Sequence, residues 1–237
     1  MSGFDLDAAR AARGEKLDER FFTYKGERFD LAFVTGKSWS GYNYYQGSYH
    51  SKIEVNTDLP IRISRAVDLG CHEGYPGHHV LNALLEQRLT RGRGWVEFSV
   101  YPLYSPQSVI AEGSANYGID LAFPGPEKVA FEKASLYPLA ALPTAEAERY
   151  EALLDALKDL SGARLTIARD FIDGRITEQQ AVELERKYRL MSEARAKQSV
   201  AFTKQYRTYV LNYGLAEQMV REDVETRSKP AGRWKRF

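Results

Sequence analysis

The sequence predicts a mostly α-helical protein with a small β element, and three observations lead there. After Glu127 the apolar residues keep helical spacing almost to the end of the chain. A stretch at 42–60 is rich in Tyr and β-branched residues, as half-buried strands are. Between them, helical spacing continues on both sides of a histidine cluster at 72–79. The length, 237 residues, fits one domain spanning 1–237, since single cores rarely outgrow roughly 250–300 residues.

Residues 1–41 form a mixed N-terminal segment: a charged opening of helical character, then FDLAFVTGKSWSG, which shows no clear period. Residues 42–126 are expected to hold a strand and the helices of a site. Within them Tyr49–Asn56 alternates as a strand and Asn56-Thr57-Asp58-Leu59-Pro60 closes it. Ile63, Val67 and Leu69 lead a helix into the histidines, and Val80, Ala83 and Leu84 carry it on; Gly74, Pro76 and Gly77 interrupt it. Arg91-Gly92-Arg93-Gly94 ends that region. A helix from Pro106 to Phe123 follows, stopped by Pro124-Gly125-Pro126. Residues 127–225 read as a helical bundle, with one long helix over 144–172 ended by Asp173-Gly174. A capping box at Thr177-Glu178-Gln179-Gln180 opens the next helix. The tail, 226–237, is basic and expected to be solvated and frayed.

Composition excludes several functions. With 33 Lys+Arg against 32 Asp+Glu the net charge is +1, which supplies no global field toward nucleic acid, membrane or acidic substrates. The tail adds five basic residues beside Trp234 and Phe237, but the remainder of the chain is net acidic, so no nucleic-acid partner is expected. A single Cys forbids an intramolecular disulfide or a Cys-rich zinc knuckle and suits a reducing compartment. The charged start does not read as a secretory signal and no apolar run of about 18 residues follows; a cytoplasmic protein with no membrane partner is the expectation.

Histidine carries the chemistry. There are only four, and His72, His78 and His79 fall within Cys71-His72-Glu73-Gly74-Tyr75-Pro76-Gly77-His78-His79-Val80. Zinc proteases of the His-Glu-x-x-His type set two imidazoles one helical turn apart, with the intervening Glu as general base. Here the second His comes late, so that pattern fails as written. On a regular helix His78 falls about 120° from His72 and His79 only about 20°, though His79 is then about 10.5 Å further along. Pro76 cannot bond back to His72, so a regular helix is not expected, and a bulge at Pro76-Gly77 would bring His78 to the metal. His78 is the favoured second ligand and His79 its competitor.

Glu112 supplies a third ligand. It sits in an otherwise apolar stretch, VIAEGSANY, where a buried carboxylate is costly unless it meets a cation. Asn116 and Asp120 follow at i+4 and i+8, placed to orient a ligating histidine. Cys71 is expected to pack on the buried face, and His50 to be a surface residue of the strand.

The stretch 71–80 resembles the His-Glu-x-x-Pro-Gly-His-His signature of the bacterial domain-of-unknown-function family numbered 885, whose members resemble zinc peptidases of the gluzincin group. SWSGYNYYQGSYHSKIEVNTDLP looks like the segment before that signature. AEGSANYG looks like its Glu-Gly-x-x-x-Tyr helix, and YVLNYG at 209–214 like its C-terminal active-site helix. Compared members are longer at the N-terminus, and Ser114 stands where they often carry Trp, which implies a wider pocket beside Glu112.

The resemblance implies a gluzincin-like domain with its β element before the signature helix, and one zinc ion on His72, His78 and Glu112. It implies a metallopeptidase or amide hydrolase in which Glu73 is the general base. A water would fill the fourth position, and a small peptide or amide would be the substrate. The strand at Ser51–Asn56 would lie as an edge, with Ile53, Glu54, Val55 and Asn56 offering backbone groups to an extended substrate. Tyr209 and Tyr213, i and i+4 on one predicted helix, are candidates for substrate binding and, for Tyr213, oxyanion donation. The competing reading is a non-catalytic, metal-stabilised binding module.

Overall fold

The computed structural model describes residues 26–237; the expected helical opening lies outside them. The described residues are mostly helical, with one three-stranded sheet. Its strands are β1 (Arg28–Val34), β2 (Gly41–Gly47) and β3 (His50–Asn56), in the order β1-β3-β2. Ser48 and Tyr49, both at positive φ, make the tight turn joining β2 to β3.

The sheet overturns one expectation. β3 is the central strand, not an edge. Its residues Ile53, Glu54, Val55 and Asn56 pair in parallel with Leu31, Ala32, Phe33 and Val34 on one side. On the other, Gly41, Tyr42 and Asn43 pair antiparallel with Val55, Glu54 and Ile53. Both backbone edges of β3 are therefore taken, and the predicted docking of a substrate on Ile53–Asn56 has no free edge to use. The side chains are committed as well: Glu54 accepts from Lys52 at 2.7 Å, and the Asn56 amide donates to the carbonyls of Lys37 and Trp39. The strand β1 was not expected, because Ala32 and Val34 fill the positions between Phe29, Leu31 and Phe33 and hide the alternation.

Helix α1 (Ser64–Leu69) runs into a π-turn at Gly70–Gly74, and α2 (His78–Leu85) starts after a break at 75–77. The longest helix among the described residues, α3 (Pro106–Ala122), begins with Pro at its first position and buries residues on most of its circumference. Two glycines let other elements reach it. A Cβ on Gly113 would stand 2.4 Å from the Ala216 carbonyl oxygen, and one on Gly118 would stand 2.8 Å from Pro76 Cγ.

The bundle continues through α4 (Glu127–Phe131), α5 (Ala147–Lys158), α6 (Ser161–Ile172), α7 (Glu178–Tyr188), α8 (Glu193–Tyr206) and α9 (Leu215–Arg227). The single helix expected over 144–172 is two, broken between Lys158 and Ser161, where Asp159 and Leu160 turn the chain ahead of Gly162. The capping box at Thr177 forms in full. Ile167, Ala181 and Val200 knit α6, α7 and α8 into one core cluster.

The tail departs from the expected frayed end. Arg233–Arg236 forms a last helical turn, α10, and Trp234 packs beside the cluster of Val67, Cys71 and Ala122. Phe237 packs near Tyr117. Arg227 and Arg236 pair with Asp223, and Arg233 with Glu225, so most of the tail's charge is answered within the chain. The apolar rings at i and i+3 outweigh the basic composition. No helix among the described residues is long and apolar enough to cross a membrane.

Candidate metal centre

The signature folds around a progressive widening of the helix. The Tyr75 N–H bonds back five residues to the Gly70 carbonyl (3.2 Å), and the Gly77 N–H bonds back six, to that of Cys71 (2.9 Å). Pro76 contributes no N–H between them. Gly77 is obligatory here, because a Cβ would stand 1.9 Å from the His72 carbonyl oxygen. The extra residues are thus absorbed by a π-turn and a break, which leaves His72 in the turn and His78 as the first residue of α2.

That geometry settles which neighbour faces Glu112. His72 Nε2 lies 3.3 Å from Glu112 Oε2, and His78 Nε2 lies 3.3 Å from Glu112 Oε1. The two imidazoles meet edge to face, with centroids 4.7 Å apart. His79 points the other way. It is fully buried, with Nδ1 2.7 Å from Ser51 Oγ and Nε2 3.1 Å from Glu27 Oε1, and its ring packs on Phe29. His79 pins α2 to the sheet and has no place among the ligands.

Glu112 is buried on α3. Burial alone would raise its pKa, but His78 and His72 outweigh that and hold the carboxyl well below the ordinary carboxylate range. Burial likewise disfavours the charged form of His78, yet the Glu112 carboxylate raises its proton affinity overall. Tyr209 donates a hydrogen bond to Glu112 Oε1 at 2.5 Å. Glu112 Oε2 is buried and makes no hydrogen bond among the described residues. His72 Nε2 is the ring nitrogen near it, aimed poorly for one.

One ligand atom from each of His72, His78 and Glu112 lies within 4.8 Å of the others. Two ligands on a tetrahedral zinc, with bonds of ~2.0–2.1 Å, stand about 3.3 Å apart. The distance from His72 Nε2 to Glu112 Oε2 matches that edge, His78 Nε2 stands as close to the other oxygen of the same carboxylate, and the orphaned Oε2 has the electron pair such an ion requires. The residues fit one divalent ion with an N₂O donor set.

Glu73, next to His72, is buried; Gly41 of β2 lies against its carboxylate, and the Asn43 amide donates to its carbonyl at 2.6 Å. The triad and Glu73 open into a cleft of about 560 Å³, lined along its length by β2 and opposite by Tyr206, Tyr209 and Tyr213. A larger charged groove, about 2040 Å³, contains none of the triad.

Tyr209 and Tyr213 do reach the site, but from a 3₁₀ segment (Arg207–Asn212) and the turn after it, not from one α-helix. Arg207 and Gly214, both at positive φ, bound that segment. Burial, and then the Glu112 carboxylate, push both phenols up, so both are donors. Arg164 of α6 lays its guanidinium over the Tyr213 ring, 4.6 Å from the centroid.

The two residues expected to orient the histidines do neither. Asn116 donates to the Glu112 carbonyl at 2.9 Å, within its own helix. Asp120, two turns and about 12 Å beyond Glu112 on a straight helix, pairs with Arg221 of α9 at 2.5 Å. Ser114 turns to the Ala111 carbonyl. His50 lies 2.7 Å from Asp30 in a sheet-face contact, and Cys71 is in the core beside Val67 and Ala122. Sequence reasoning missed Gly41, Asn43 and Arg164. The alternation of Tyr42-Asn43-Tyr44-Tyr45 carried a signal for the first two; nothing in the sequence marked Arg164.

No family model matches this chain, and no curated protein and no solved structure matches it.

Proposed function

We propose that the chain is a zinc-dependent hydrolase acting on a peptide or other amide bond, with a gluzincin-like arrangement of the kind the signature resembles. The observation that carries this reading is the convergence of His72, His78 and Glu112 at ligand spacing beside the buried carboxylate of Glu73. Zinc held by those three residues would supply a Lewis acid that polarises a carbonyl and lowers the proton affinity of water.

The chain's own residues do the rest. Glu73 takes a proton from the attacking water and delivers it to the leaving nitrogen. Tyr209, bonded to Glu112 Oε1, holds the ligating carboxylate in orientation. Tyr213, deep in the cleft and backed by Arg164, donates to the carbonyl oxygen as negative charge develops on it. The outer edge of β2 pairs with no strand among the described residues, and every residue of β2 lines the cleft. An extended substrate therefore adds to β2, the role the sequence had assigned to β3.

The test is elemental analysis of the purified protein, followed by turnover of a peptide and amide library with and without added zinc. One equivalent of divalent metal and zinc-dependent cleavage are expected. A protein that cannot be loaded with zinc, or that cleaves nothing when loaded, would sink the reading.

A further inference from the structure

The cleft beside the triad is lined by ten aromatic rings from separate parts of the chain. Trp39, Tyr42 and Tyr44 come from β2 and its approach, Tyr101 from the loop before α3, and Phe202 and Tyr206 from the end of α8. Within each wall the rings are in contact: Trp39 with Tyr42 at 5.7 Å, Tyr42 with Tyr44 at 4.5 Å, and Phe202 with Tyr206 at 4.6 Å between centroids. The walls are joined at one end, where Ser38 Oγ donates to Gln205 Oε1 at 2.7 Å. The slot between them is thus formed before any ligand arrives.

Away from the triad and Glu73, its charges are already answered. Glu86 is held by Arg91 at 2.6 Å and by Tyr45. On β3, outside the lining, Glu54 is held by Lys52 at 2.7 Å, and the Lys52 ammonium sits near Tyr44. Glu86 is the one carboxylate lining the cleft besides Glu73 and Glu112, so an ammonium in the slot away from the triad finds no uncommitted partner. An incoming carboxylate would meet Glu73 and Glu112 with no open cation to receive it. Rings whose faces line a slot favour another ring, stacked or edge-on.

We propose that this slot selects an uncharged aromatic side chain flanking the bond to be cleaved. The cleavage rests on the hydrolase reading; the binding preference does not, and is measured without it. The full-length protein, stripped of metal with a chelator, is titrated with the N-acetyl amides of phenylalanine, tyrosine, alanine, aspartate and lysine, and binding is followed by calorimetry. The two aromatic amides should bind at least about tenfold tighter than the other three. The Tyr44→Ala variant, altered at a partly exposed ring, and Tyr206→Leu, which keeps apolar volume, should each reduce that preference. In a second arm, zinc-loaded protein is given peptides differing only at one residue flanking the scissile bond. Aromatic preference in binding with no turnover of any peptide would support the slot and overturn the hydrolase reading. Turnover without aromatic preference, or equal binding of the lysine or aspartate amide, would overturn the slot and leave the hydrolase standing.

Discussion

Adjacent histidines with opposite duties give the sharpest test of this structure. Replacing His79 by Ala removes a fully buried ring packed on Phe29 (4.3 Å) and Tyr75 (5.5 Å). Loss of a buried aromatic ring costs roughly 3–5 kcal/mol in well-packed cores. The bonds to Ser51 and Glu27 go with it, at about 1 kcal/mol each. The sum is about 5–7 kcal/mol, and a chain of this size loses about 2–4 °C of melting temperature per kcal/mol. A fall of roughly 10–28 °C is expected in chelator, measured by circular dichroism. Below that melting point His79→Ala should still bind one equivalent of zinc by elemental analysis. His78→Ala should lose the metal while its secondary structure is retained. If folded His79→Ala binds no metal, or His78→Ala keeps a full equivalent, the assignment of the two rings is wrong.

Glu73→Gln should retain zinc yet lose about 10²–10⁴-fold in turnover of any peptide the wild type cleaves; an unchanged rate removes Glu73 as the base. Glu132 is buried, and desolvation raises its carboxyl above the ordinary 4.5. A raised folded-state value gives stability that is complete below the unfolded value and lost as pH rises through the folded one. Denaturant titrations from pH 4 to 8 should therefore show Glu132→Gln declining less than wild type, and parallel curves would refute this. Gly113→Ala forces a methyl into the Ala216 carbonyl and should cost about 1–3 kcal/mol in a urea titration by prising α9 from α3. A neutral result would mean the two helices pack less closely than described.

The sequence revealed the chemistry better than the architecture. His72 and Glu112 stood out because a scarce residue clustered and because a carboxylate sat in an apolar run, both properties of single residues. His78 was favoured over His79 because Pro76-Gly77 predicts a break, although regular helix arithmetic favours His79 by angle; the widening through Gly70–Gly77 is the form that break takes. Asn116 and Asp120 were misassigned because i+4 and i+8 fix a face but not the height of a partner, and Arg221 on α9 claimed Asp120. β3 was legible as a strand from its alternation, whereas its central position depends on β1 and β2 pairing from outside its own segment. The tail was read by charge, and Trp234 and Phe237 dock it through packing that only the folded core provides.

The three side chains proposed as ligands come from a π-turn, the start of one helix and the middle of another. An ion bridging His72 and Glu112 therefore acts as a removable cross-link closing a loop in the denatured chain. By the chain-entropy argument used for disulfides, a closure of that span is worth about 4 kcal/mol. Such a clasp would make resistance to unfolding follow metal supply, with loaded protein outlasting the proteolysis that clears a starved one.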